Sequence, residues 1–190
     1  VVLHHLTTAF GARKFAALVR TTGSPLVAGL DNGRGTFLTN RVLDHGFGAR
    51  HETEYMRDVA VAAGGVPVDA SPRVAVPAAA DHLPAFPERF AAIYPATGAF
   101  SRAREWPVER YATLARRVRE RGFTPVIVGG DDARSMATRI ISDVRSTVDL
   151  TGRTSIPELA TLLAQAHFVV GGDSFIGHLA AAVGTPVVAI

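Results

Sequence analysis

The residues best placed to do chemistry lie in Val169-Val170-Gly171-Gly172-Asp173-Ser174-Phe175-Ile176-Gly177-His178. An apolar run leads through two glycines to an acid, a hydroxyl and, one helical turn on, a histidine. A strand feeding a helix this way brings free backbone N–H groups and the positive end of a helix dipole to the turn, where an anion is stabilised. Ile176, Leu179, Ala180 and Val183 follow the i, i+3, i+4, i+7 spacing of a buried face, which puts His178 on the outer side above Ser174. Asp173 is free either to cap the helix or to accept bonds from ribose or sugar hydroxyls. An ordinary N-cap beside a solvated histidine fits the same residues.

Three other turns carry similar chemistry. Thr97-Gly98-Ala99-Phe100-Ser101-Arg102-Ala103-Arg104 joins small residues, which let a ligand approach the backbone, to two arginines, whose forks match phosphate oxygens. Gly129-Gly130-Asp131-Asp132 places an acid just past a diglycine, where a ribose diol or an N-cap is served. Leu150-Thr151-Gly152-Arg153-Thr154-Ser155 is a polar turn able to wall a base pocket. The seven histidines are scattered without metal-ligand spacing, so no metal site is expected, and P-loop, GxSxG and GxGxxG motifs are absent.

These turns need elements to hold them. Phe90 to Tyr94 reads as a strand. A helix follows, with Pro107 expected at its first position and Gly122 as its stop. Strands are expected at Pro125–Val128, Thr147–Leu150, Phe168–Val170 and Pro186–Ile190. The helices between them run from the Gly129 turn to about Ser142, from the capping box Ser155-Ile156-Pro157-Glu158, and from Asp173. Alternating strands and helices with short glycine turns predict a parallel sheet covered by helices. Toward the start, strands are expected at Val1–Leu6 and Leu26–Leu30, and helices at Ala12–Arg20 and Thr53–Ala63. Gly64 to Pro87, with five prolines, reads as a linker or domain crossover.

Composition bounds the rest. The chain has 190 residues, 47% of them apolar, and a net charge of +3. A chain this long buries roughly 70% of its unfolded surface and needs no staples. With no cysteine it has no disulfide framework, thiolate metal site or cysteine nucleophile. No apolar run reaches the roughly 20 residues that span a bilayer. Nearly every base is arginine, Lys14 being the single lysine, and the small excess gives no reason to expect a nucleic-acid partner. Val1-Val2-Leu3 and Val187-Val188-Ala189-Ile190 both lie in apolar, strand-like runs, so neighbouring elements are expected beyond each end.

In order and spacing, Ala91 to Ile190 resembles the second domain of glycosyltransferase family 9, the ADP-heptose:lipopolysaccharide heptosyltransferases. That family carries a Pro-Gly-Ala-like loop leading to Lys-x-Trp-Pro, here Arg104-Glu105-Trp106-Pro107. It carries Gly-Gly-acid, here Gly129, Gly130 and Asp131, and a Leu-Thr-Gly-Lys-Thr-Ser segment, here Leu150 to Ser155. Its hallmark, Asp-(Ser/Thr)-Gly-x-x-His-Leu-Ala-Ala-Ala, reads here as Asp173 to Ala182, with Phe175 in place of the glycine.

The resemblance implies an α/β, GT-B-type fold: two Rossmann-like parallel-sheet domains, incomplete at both ends. Residues 1–82 would be the later part of the acceptor-side domain with its linker, and 83–190 the nucleotide-sugar-binding domain. It further implies inverting, metal-independent sugar transfer, without a cofactor, from ADP-heptose or another nucleotide sugar to a cell-envelope glycan or glycolipid. The setting would be cytoplasmic, with peripheral contact at the inner membrane face. Thr97, Gly98, Ala99, Arg102 and Arg104 would meet the phosphates, Gly130 and Asp131 the ribose, and Thr154 the adenine. Asp173, Ser174, Phe175, Gly177 and His178 would surround the diphosphate and sugar. The family's general-base carboxylate would lie ahead of Val1. A degenerate homologue that binds a nucleotide or partner without transfer is the alternative, favoured by the Phe175 departure.

Overall fold

A computed structural model describes residues 1–3, 6, 8–68, 73–76, 85–98 and 105–190. The chain divides into two compact units, Val1–Asp69 and Ala70–Ile190. The boundary expected at 82/83 lies outside the described residues.

In the first unit, β1 (Val2–Leu3), β2 (Ala28–Asp31) and β3 (Asn40–Leu43) form a parallel sheet in that order. α1 (Ala9–Thr22) and α2 (Glu52–Ala62) cover it. Alternation from Val27 into β2 separates the two packings. Val27 clusters with Ala12 and Val19 of α1, whereas Ala28 and Leu30 cluster with Tyr55 and Val59 of α2. Thr8 caps α1, its hydroxyl accepting the Gly11 N–H at 2.9 Å. His51 caps α2 through a ring nitrogen that accepts the Thr53 N–H at 3.2 Å. β3 was not expected from the sequence, and α1 extends beyond the Ala12–Arg20 span expected for it.

The second unit is built from β4 (Phe90–Tyr94), α3 (Val108–Glu120), β5 (Thr124–Ile127), α4 (Arg134–Asp143) and β6 (Val148–Asp149). It continues with α5 (Ile156–Gln165), β7 (Phe168–Gly171), α6 (Phe175–Ala182) and β8 (Val187–Ala189). All its strands are parallel, in the order β6-β5-β4-β7-β8. β4 is central and no residue of it is more than 2% exposed, so both its faces are covered. Ile93 packs with Tyr111, Ala115 and Ile140 of α3 and α4, while Phe90, Ala92 and Tyr94 pack with Leu162, Leu163 and Ile176 of α5 and α6. This is the doubly wound arrangement.

Local signals account for the helix ends. Pro107 is the N-cap of α3 rather than its first residue, and Gly122 follows the last turn at φ +80°. The Ser155–Glu158 capping box forms, with Glu158 Oε2 accepting the Ser155 N–H at 2.6 Å. A 3-10 turn, Asp131–Ala133, precedes α4. α6 starts at Phe175 with Ser174 as its cap, not at Asp173, because Gly171 to Asp173 extend the strand into a bend.

Candidate functional site

In a doubly wound sheet the chain leaves the central strand first to one side and then to the other. The crevice between those two departures, at the carboxyl ends of the strands, is where ligands bind. Here it lies between β4 and β7, which run in register with Tyr94 beside Gly171.

The β7 side of the crevice is shaped by small residues. A Cβ on Gly171 would fall 2.9 Å from Ile176 Cγ2 and 3.3 Å from the Tyr94 carbonyl, so only hydrogen fits there. Asp173 is exposed, and the Ser174 hydroxyl is buried without a hydrogen-bond partner among the described residues. Phe175 opens α6 half exposed, its ring centroid 5.3 Å from that of Tyr94 at 71°. Ile176, Leu179 and Ala180 are buried, and His178 on the other face is exposed, as their spacing predicts. Gly177 is half-buried, with room for a Cβ 3.7 Å from Val187.

On the β4 side, Pro95, Ala96 and Thr97 are buried and Gly98 turns at φ +76°. Ala99, Arg102 and Arg104 lie outside the described residues.

The β5 turn is tied to both neighbours. The Tyr94 hydroxyl donates to Asp132 Oδ2 at 2.9 Å, linking the centre of the crevice to the β5 turn. Burial, reinforced by this bond, raises the Tyr94 pKa well above the ordinary tyrosine value. Asp131, the acid expected to meet ribose, points outward and pairs through Oδ1 with Arg134 Nη2 at 2.6 Å. That bond raises the Arg134 pKa. The β6 turn joins in, with the Gly152 N–H donating to the Gly129 carbonyl at 2.7 Å. Thr154 stands half-buried just beyond it. Arg134 was not singled out in the sequence, and Asp132 and Tyr94 stood within the motifs without a role of their own. The i, i+3 spacing of Asp131 and Arg134 signals their pairing, but nothing local connects Tyr94 with Asp132.

Gly130, Asp131, Thr154, Thr97, Gly98, Asp173, Ser174 and Phe175 are therefore held along one edge of a single sheet, with Gly177 and His178 in the first turns of α6. Among the described residues, no group of three or more His, Asp or Glu side chains is arranged to hold a metal ion. No helix among them is long and apolar enough to cross a membrane.

The fold and this edge define a class: Rossmann-like α/β proteins of the GT-B type. The sequence model for glycosyltransferase family 9 (heptosyltransferase) matches residues 6–190, and the chain belongs to that family. It is 30% identical over 91 residues to lipopolysaccharide heptosyltransferase 3 of Escherichia coli, a match covering 45% of this chain and 26% of that protein. It is 31% identical over 98 residues to lipooligosaccharide heptosyltransferase 2 of Haemophilus influenzae, covering 48% of this chain and 28% of that protein. Among solved structures, a family 9 glycosyltransferase from Veillonella parvula overlays 93% of this chain and 53% of its own, with TM-score 0.68 and 19% identity. The E. coli heptosyltransferase WaaC with ADP overlays 99% of this chain and 61% of its own, with TM-score 0.67 and 22% identity. The matches thus span about a quarter of the curated relatives and between half and two thirds of the solved chains.

Proposed function

We propose that the protein transfers a heptose from ADP-heptose to a lipopolysaccharide-type acceptor, with inversion and without a metal ion. The observation that carries the reading is the Gly171–Phe175 turn beside Tyr94 at the switch point, in a chain of glycosyltransferase family 9. The solved relatives include the E. coli enzyme with ADP and with ADP-2-deoxy-2-fluoro heptose.

In this reading the nucleoside lies over the β5 and β6 turns, with Asp131 on the ribose and Thr154 beside the adenine. The diphosphate crosses the β4–β7 crevice to the first N–H groups of α6, flanked by Thr97, Gly98, Ala99, Arg102 and Arg104. Asp173, Ser174, Gly177 and His178 surround the sugar end. An acceptor hydroxyl attacks the anomeric carbon on the face opposite the diphosphate. The new C–O bond forms as the bond to the diphosphate oxygen breaks, which inverts the centre, and the hydroxyl proton passes to a general-base carboxylate. Guanidinium groups and the helix dipole offset the charge that grows on the leaving diphosphate, the task a metal would otherwise perform. No cofactor beyond the donor is needed. The acceptor places the reaction at the cytoplasmic face of the membrane, reached by peripheral contact.

Calorimetric titration with ADP, GDP and UDP tests the donor assignment. ADP is expected to bind at least about tenfold more tightly than the others, a difference of about 1.4 kcal/mol. Failure of all three to bind removes the reading.

A further inference from the structure

Phe175 is an apolar ring kept 48% exposed at the mouth of the crevice. The packing of α6 does not account for it, since the helix buries Ile176, Leu179 and Ala180 against the sheet. Among the described residues one ring contact holds it, an edge-on meeting with Tyr94 at 5.3 Å between centroids. Tyr94 in turn is locked: its hydroxyl is bonded to Asp132, and its ring lies so close to Gly129 that a Cβ there would fall 2.8 Å away. Phe175 thus rests on a rigid support, with the rest of its ring turned outward.

We infer that Phe175 is a specificity-determining residue of the donor site, a stacking platform for the sugar ring of a nucleoside-diphosphate sugar rather than for its base. The inference rests on the donor reading above and goes further by assigning one part of the donor to one side chain. The strand order carries it. In β6-β5-β4-β7-β8, the turns bearing Asp131 and Thr154 lie on one side of β4, while Phe175 follows β7 on the other. A nucleoside over β5 and β6, with its diphosphate crossing the β4–β7 crevice, leaves the sugar as the part that reaches the Phe175 side chain beyond β7. The chemistry fits. Ring C–H groups of a sugar are polarised positively by their oxygens, and the face of an aromatic ring is negative. A platform of this kind reads which face of the sugar carries C–H groups and which carries hydroxyls, so it discriminates among sugars on the same nucleotide.

The test compares ADP with ADP-2-deoxy-2-fluoro heptose by calorimetry on the wild-type protein, Phe175→Leu and Phe175→Tyr, with thermal unfolding of each. Leucine keeps the apolar bulk and the helix but removes the ring; tyrosine keeps the ring. Phe175→Leu is expected to bind the fluoro-sugar analogue about tenfold more weakly and ADP within about twofold of wild type, while Phe175→Tyr stays near wild type for both. Equal weakening for ADP and the analogue overturns the inference, because the ring would then serve the nucleotide. Unchanged or tighter analogue binding in Phe175→Leu overturns it as well, since the ring would contribute nothing or stand in the way. If wild-type protein binds neither compound, the donor reading fails and the inference with it. If wild type binds ADP but gains nothing from the sugar, the donor reading stands and the inference alone is lost.

Discussion

Tyr94 links several parts of the site. It ends the central strand, supports Phe175, limits Gly129 and bonds Asp132. In the folded chain burial and the Asp132 bond favour its neutral phenol, so its pKa rises above the ordinary 10.0. A raised pKa means a contribution to stability that is complete below the unfolded value and drains away as the pH climbs through the folded one. Tyr111, also buried, shifts in the same direction. Urea denaturation between about pH 9 and about pH 11 is expected to show stability falling with pH, and falling less steeply in Tyr94→Phe. An identical slope in the variant would assign the loss to other groups. A tyrosine at the end of an apolar strand looks in the sequence like core, and core it is. Its bond to Asp132 spans the whole of α3 and β5, which no pattern of neighbours encodes.

At the scale of elements, the site depends on turns that only particular residues can make. Gly129 sits at φ +139°, and a Cβ there would fall 2.7 Å from Ala133 Cβ and 2.8 Å from Tyr94 Cε2. Gly129→Ala is therefore expected to destabilise the protein by about 1–3 kcal/mol in chemical denaturation. Gly177→Ala, inside α6 with its nearest neighbour at 3.7 Å, should be neutral or add up to about 1 kcal/mol. Equal effects at the two positions would contradict the packing described here. Element ends marked by local chemistry were legible: Gly122 past α3 and the Ser155–Glu158 box at α5 act through bonds and torsions within a few residues. β3 was not legible. Only Asn40 and Val42 of its residues are half-buried, and Asn40–Leu43 forms a strand because β2 offers it a parallel edge. The start of α6 was misplaced for a related reason: an aspartate and a serine in succession both have capping chemistry, and the backbone path after β7 selects Ser174.

For the molecule as a whole, the donor reading assigns nucleotide to the second unit. Hydrogen exchange with ADP at about a hundredfold excess over its Kd should add up to about 2.7 kcal/mol of protection. The gain should gather in β4, β7 and α6, and a gain concentrated in Val1–Asp69 would contradict that assignment. The sequence by itself determined the alternation of strands and helices, the parallel sheet covered by helices and the ordered turns that mark family 9. These follow from periodicity, capping and glycine torsions, all short-range. The tertiary structure alone decided that β7 lies beside β4 and not beside β6, that Tyr94 reaches Asp132 and that Phe175 faces outward. Each of these depends on how the whole sheet buries both its faces, a collective balance that no short stretch of chain contains.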